Sequence, residues 1–190
     1  MIKKIISSLY LINMKTIIKL FLIIILTNTS AIMAQNWKLT LHEKLPLLGH
    51  RNWIVVVDAA YPAQTTPGIT TILCNEPQEQ VVKAVVEELA ATKHVRPVIY
   101  LDKELQYVAE KNAPGITNYR NALNTVLSGH KPEVMLHENI ISMLDDAGKT
   151  FNIILLKTKL TLPYTSVFFK LECGYWTDEA EKQLRNDMKK

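Results

Sequence analysis

A histidine and an aspartate bracket the most informative stretch of this chain. Leu48-Gly49-His50-Arg51-Asn52 leads into Trp53-Ile54-Val55-Val56-Val57, and Asp58 follows at once, ahead of Ala59-Ala60-Tyr61-Pro62. An imidazole, with an ordinary pKa of about 6.5, can give and take protons near neutral pH. A carboxylate can hold hydroxyl groups by charge-assisted hydrogen bonds. The apolar run between them is short and β-branched, so it reads as a buried strand rather than a helix. At roughly 3.3 Å per residue, such a strand keeps His50 and Asp58 too far apart to touch. A neighbouring loop or a second subunit must complete any site that both serve. Each residue also has a plain structural reading. Gly49 suits the left-handed position that ends a helix, which makes His50 a surface residue after a cap. Asp58 suits the cap of the turn that follows it.

The elements that must position these groups follow from pattern. Residues 39–48 read as a short helix interrupted by Pro46, and 53–58 as the first strand. The two prolines and the glycine of 61–68 mark a loop. Strands are expected at 69–74, 97–101, 151–156 and 167–171, with a short extended piece at 132–136. The clearest helix is 78–93, where Val81, Val82, Val85, Val86 and Leu89 form one apolar face behind Pro77. Shorter helices are expected at 103–111, 116–127 and 138–146, the last ended by Gly148. Strands alternating with helices predict an α/β fold, a single layered domain with a largely parallel central sheet flanked by helices. Sites in such sheets lie beyond the carboxyl ends of strands, which is where Asp58 falls.

The two ends of the chain stand apart from this pattern. Residues 1–34 carry Lys3, Lys4, Lys15 and Lys19 around the apolar run 17–26, followed by small and polar residues to Ala34. That is the composition of a secretory signal peptide, with Gln35 as the new first residue, and it predicts an exported protein, periplasmic or secreted. The apolar run is short for a membrane span, which needs about 20 residues, so no membrane attachment is expected after cleavage. The leader holds four of the 22 Lys and Arg and none of the 18 Asp and Glu, which leaves 18 of each in the rest. A formally neutral chain gives no reason to expect a nucleic-acid partner. The domain is expected over 35–176, and the charged tail 177–190 reads as a fraying surface helix. Cys74 and Cys173 are the only cysteines. Export would permit their pairing, but two distant cysteines do not establish a disulfide, and buried free thiols are the plain reading.

Several patches, in order along the chain, resemble the D-ribose pyranase / L-fucose mutarotase family. Leu48-Gly49-His50, Asp58 and Pro62 resemble its opening, where a Gly-His pair precedes an apolar strand ending in Asp. Tyr119-Arg120-Asn121-Ala122-Leu123 resembles a helix of the fucose branch. Leu136-His137-Glu138-Asn139 resembles the ribose branch. Leu162-Pro163-Tyr164-Thr165-Ser166-Val167-Phe168-Phe169 resembles the closing motif. Two positions depart: Asn52 stands where the family has Asp, and Ser166 where it has Asn.

The resemblance implies an isomerase that interconverts anomers or ring forms of a free monosaccharide, with no cofactor and no metal. It implies His50 as the acid/base, Asp58 and His137 as ligands of sugar hydroxyls, and Tyr164, Ser166 and the backbone at Thr165 as the closure of the pocket. It also implies a homo-oligomer in which one subunit completes the site of the next, so that Tyr164 comes from a neighbour. A sugar-binding relative without turnover is the alternative, because Asn52 and Ser166 both remove polar groups of the family pattern. For His137 the plain reading is a helix-capping residue, and for Tyr164 it is core packing. The chain has no phosphate-binding glycine loop, no Gly-x-Ser-x-Gly elbow, no His-Glu-x-x-His and no Cys-x-x-Cys.

Overall fold

The computed structural model describes Thr16, Lys19 and residues 37–189. The expected signal peptide therefore lies outside the described residues, apart from those two positions. The chain divides into two compact units, Met1–Leu39 and Thr40–Lys190. The second unit carries all six strands of the sheet.

Within it, residues 40–44 are helical (α1) and run into a 3-10 turn at Leu45–Leu47. Then come β1 (Trp53–Val57), β2 (Ile69–Leu73), α2 (Gln78–Ala90), β3 (Val95–Asp102), a 3-10 turn (Lys103–Tyr107), α3 (Ile116–Val126), β4 (Glu133–Met135), α4 (His137–Gly148), β5 (Ile153–Lys157), β6 (Val167–Cys173) and α5 (Asp178–Asp187). The six strands form one sheet in the order β2-β5-β1-β6-β3-β4. The fold is α/β with a mostly parallel, mixed sheet. β1, β2 and β5 pair in parallel, as do β3 and β4, whereas β6 is antiparallel to both its neighbours. Five strands therefore end at one edge of the sheet, and β6 begins there.

Burial explains the strand sequences. Every residue of β1 is buried, as befits a central strand covered on both faces. Trp53, Val55 and Val57 share one core with Tyr100, Phe168, and Ile140 and Leu144 of α4. Ile54 and Val56 alternate to the other face, where α2 packs on β1 and β3 and α3 packs on α2. Four of the five residues expected on the apolar face of α2, Val81, Val82, Val85 and Leu89, are buried, and Val86 at its margin is half-buried.

Three local expectations need correction. Gly49 does not end the first helix in a left-handed conformation. The preceding turn closes on Leu48, which is extended, and the residue with positive φ is Arg51, at 75°. The Asn52 side chain shapes this turn instead, accepting from the Gly49 N–H at 2.7 Å and donating to the Asn152 carbonyl at 3.2 Å. β3 begins two residues before Pro97. That proline is tolerated because β3 is paired there only with β6, and β4 joins it only at Tyr100 to Asp102. The short helix expected at 103–111 is a 3-10 turn of five residues.

Candidate functional site

The common edge of the five strand ends carries a cleft of about 950 Å³. Asp58 and Tyr61 reach it from the segment after β1, Asp102 from the end of β3, and His137 and Asp145 from α4. Tyr164 and Ser166 come from the segment before β6. The sheet topology alone makes this convergence, since those segments are far apart in sequence.

The shape of each segment is set locally. The Asp58 Oδ1 accepts from the Ala60 N–H at 2.7 Å, so one oxygen caps the turn while the residue lines the cleft. His137 opens α4. Its backbone N–H, one of the unpartnered donors of a helix start, reaches both carboxylate oxygens of Glu104 at 3.1 and 3.2 Å. Tyr164 has a left-handed backbone, φ 57°, which is rare in a residue with a bulky side chain. That backbone holds the ring at 40% exposure and edge-on to the His137 imidazole, with centroids 5.6 Å apart.

Thr165, the next residue, faces inward. Its carbonyl accepts from the Tyr119 hydroxyl at 2.7 Å and from the Gln78 amide at 2.6 Å, and its own hydroxyl donates to Leu162 O at 2.9 Å. Gln78 is buried at the start of α2, and its amide oxygen accepts from the Thr158 hydroxyl at 2.8 Å. This buried network ties the loop before β6 to α2, α3 and the end of β5. A satisfied network of this kind is rigid, because its members share partners and each link that breaks loses a hydrogen bond in a buried setting.

Asp102 was not among the residues expected from sequence. It is 1% exposed, and its Oδ2 lies 3.1 Å from the His137 Nδ1. The approach is off-line, so neither carboxylate oxygen nor Nδ1 has a completed hydrogen bond among the described residues. Burial pushes its pKa up to about 6, a rise that His137 opposes and that Glu104 and Asp58 reinforce. The signal for it was present, since β3 reads Val98-Ile99-Tyr100-Leu101-Asp102, an apolar run ending in Asp like the one at Asp58. Tyr61 was also missed. Burial, with help from Asp145 and Asp102, holds its phenol up at about 12, so it is a neutral donor at physiological pH.

His50 stands at the opposite edge of the sheet, before β1. Its Nδ1 meets the Glu172 carboxylate at 2.6 Å, and Glu172 also pairs with Lys170 at 2.8 Å. The imidazole is half exposed over a smaller hollow lined by Arg51, Trp53, Phe151 and Lys170. Of the six residues picked out from sequence, one chain therefore brings Asp58, His137, Tyr164 and Ser166 together around the cleft. Thr165 supports that group from beneath, and His50 is not part of it.

Cys74 and Cys173 are free thiols, and burial raises that of Cys74 to about 12. Among the described residues no cluster of three His, Cys, Asp or Glu side chains is placed to hold a metal ion, and no helix is long and apolar enough to cross a membrane.

No protein-family model and no curated protein matches the chain. Among solved structures it is similar to Bacillus subtilis RbsD complexed with D-ribose, with 18% identity, 70% of this chain and 91% of that one covered, and a TM-score of 0.48. It is similar to the fucose mutarotase in complex with L-fucose from Streptococcus pneumoniae, at 18% identity, the same coverages and a TM-score of 0.47. FucU from Bifidobacterium longum is 11% identical, with 70% and 93% covered and a TM-score of 0.48. At such identities a likeness concerns the path of the chain and not the chemistry of the site.

Proposed function

We propose that the cleft takes a free monosaccharide and that the protein is an isomerase interconverting its anomers or ring forms without a cofactor. The observation that carries this reading is the meeting of Asp58, His137, Tyr164 and Ser166 around one open cleft, four of the six residues that the motif resemblance singles out. Carboxylate, imidazole and hydroxyl groups suit the many donors and acceptors of a sugar, and the Tyr164 ring offers an apolar surface to its carbon face. Ring opening needs one group to take the proton of the anomeric hydroxyl. The bond between the anomeric carbon and the ring oxygen then breaks, and a second group protonates that oxygen. Closure reverses both transfers. His50 enters this scheme from a second copy of the chain, whose His50 edge meets the cleft, because within one chain the two lie at opposite ends of β1.

The position of His50 also favours a second reading, a sugar-binding protein without turnover. NMR exchange measurements separate the two. The purified protein, titrated with D-ribose, L-fucose and a panel of other free sugars, is expected to speed exchange between the forms of at least one pentose or 6-deoxyhexose. Binding with exchange no faster than in buffer replaces the isomerase by the binding protein, and no binding of any sugar overturns both.

A further inference from the structure

We propose that Asp102 is a positioning residue for His137, taking the Nδ1–H of the imidazole and leaving Nε2, with its lone pair, as the atom that meets a sugar hydroxyl. The inference rests on the sugar reading of the cleft, and it starts from an imbalance. A carboxylate that is fully buried with both oxygens short of a donor costs the fold and returns nothing to it. Groups arranged at such expense gather at functional sites. A donor stands beside it in the His137 ring, 3.1 Å away and itself unsatisfied at Nδ1. A small turn of the ring completes the bond, and the cleft side of the imidazole is where a ligand would set that turn. The placement is built into the sheet, since Asp102 pairs with Met135 in the parallel β3–β4 register and His137 follows two residues later.

The surroundings fix the direction of the effect. Glu104 lies on the turn after β3, Asp58 lies after β1, and the neutral phenols of Tyr61 and Tyr119 also feel the charge of Asp102. With acids on two sides, an imidazole N–H is the group best able to satisfy this carboxylate. A neutral imidazole has one N–H, and the atom that carries it is set by the bond the other nitrogen makes. An acceptor behind Nδ1 therefore decides what Nε2 can do.

Long-range proton–nitrogen NMR of the uniformly labelled protein, without sugar, reads the tautomer directly. In the wild type near pH 7.5, His137 is expected to carry its proton on Nδ1. In Asp102→Leu, which is close in size but offers no acceptor, that preference is expected to disappear. The exchange rate of the responsive sugar should then fall about 10–100-fold through kcat, with KM changing much less, as when an outer partner of a working histidine is lost. A wild-type His137 protonated on Nε2 overturns the proposal, and so does an unchanged tautomer in Asp102→Leu. If that variant fails to fold, the wild-type tautomer alone decides. A tautomer that behaves as expected in a protein that handles no sugar removes the sugar reading and leaves the Asp102–His137 relationship standing.

Discussion

The Tyr164 ring stands edge-on to the His137 imidazole, with centroids 5.6 Å apart and planes at 82°. Tyr164 takes that position through a backbone angle, φ 57°, that favours glycine. A left-handed residue with a side chain costs roughly 1–2 kcal/mol, and glycine would remove that cost while adding about 0.5–1 kcal/mol of chain entropy to be lost on folding. Tyr164→Gly is therefore expected to leave the thermal midpoint nearly unchanged. Sugar affinity by calorimetry should drop by about tenfold or more, since a stacked aromatic contact is worth about 1 kcal/mol beyond the area it buries. A large fall in melting temperature with affinity retained would make Tyr164 a packing residue.

The raised pKa of Asp102 gives a pH signature with a definite sign. Its folded value, about 6, lies above the ordinary value of 3.8, so the folded state holds the proton more tightly than the unfolded one. The group contributes stability below about pH 4, and that contribution is lost as pH rises through 6. Relative to Asp102→Leu, the wild type should lose on the order of 2 kcal/mol between those limits. Urea unfolding of both proteins across pH 4–7 measures it, and parallel stability curves would contradict a buried, charged Asp102.

His50 and Asp58 sit at opposite ends of β1, which makes their cooperation a matter of assembly. His50→Ala should cost the fold little, about 0.5 kcal/mol, because a half-exposed ion pair is screened. If a second chain brings His50 to the cleft, His50→Ala and Asp58→Asn will each be nearly inactive alone. Unfolded together and refolded, they should regain activity in about a quarter of the sites, those that receive both intact residues. No recovery on mixing would end the shared-site scheme.

Gln78 is the hub of the network under the cleft. Gln78→Leu takes one of two acceptors from the Thr158 hydroxyl, leaving it the Val57 carbonyl, and removes one of two donors from the Thr165 carbonyl. A cost of about 1–3 kcal/mol is expected. Tyr119→Phe removes the other donor. In a double-mutant cycle the two changes should couple by more than about 0.5 kcal/mol, because they share the Thr165 carbonyl. Additive effects would show that the loop is held by something else.

Export is tested at the N-terminus. Protein recovered from its source cell is expected to begin at Gln35, and mass spectrometry that finds the leader before Gln35 retained would refute the signal-peptide reading.

Much of the architecture is determined by local pattern. The β-branched run Trp53–Val57 is a strand, and the valines of α2 bury the face that their spacing marks out. Asp58 could be placed at a strand end, and the resemblance of short motifs pointed to His137, Tyr164 and Ser166. What the sequence could not decide was which chain ends share an edge. Asp102 and His137 are 35 positions apart and meet because β3 pairs in parallel with β4, in a register set by the whole sheet. The antiparallel β6, inserted between β1 and β3, brings Tyr164 to the carboxyl edge by its amino end. Pattern along a chain reports which residues are apolar and how often. The order of strands depends on how entire faces are covered, so tertiary structure alone placed an unsatisfied carboxylate behind His137 and left His50 on the far side of the sheet.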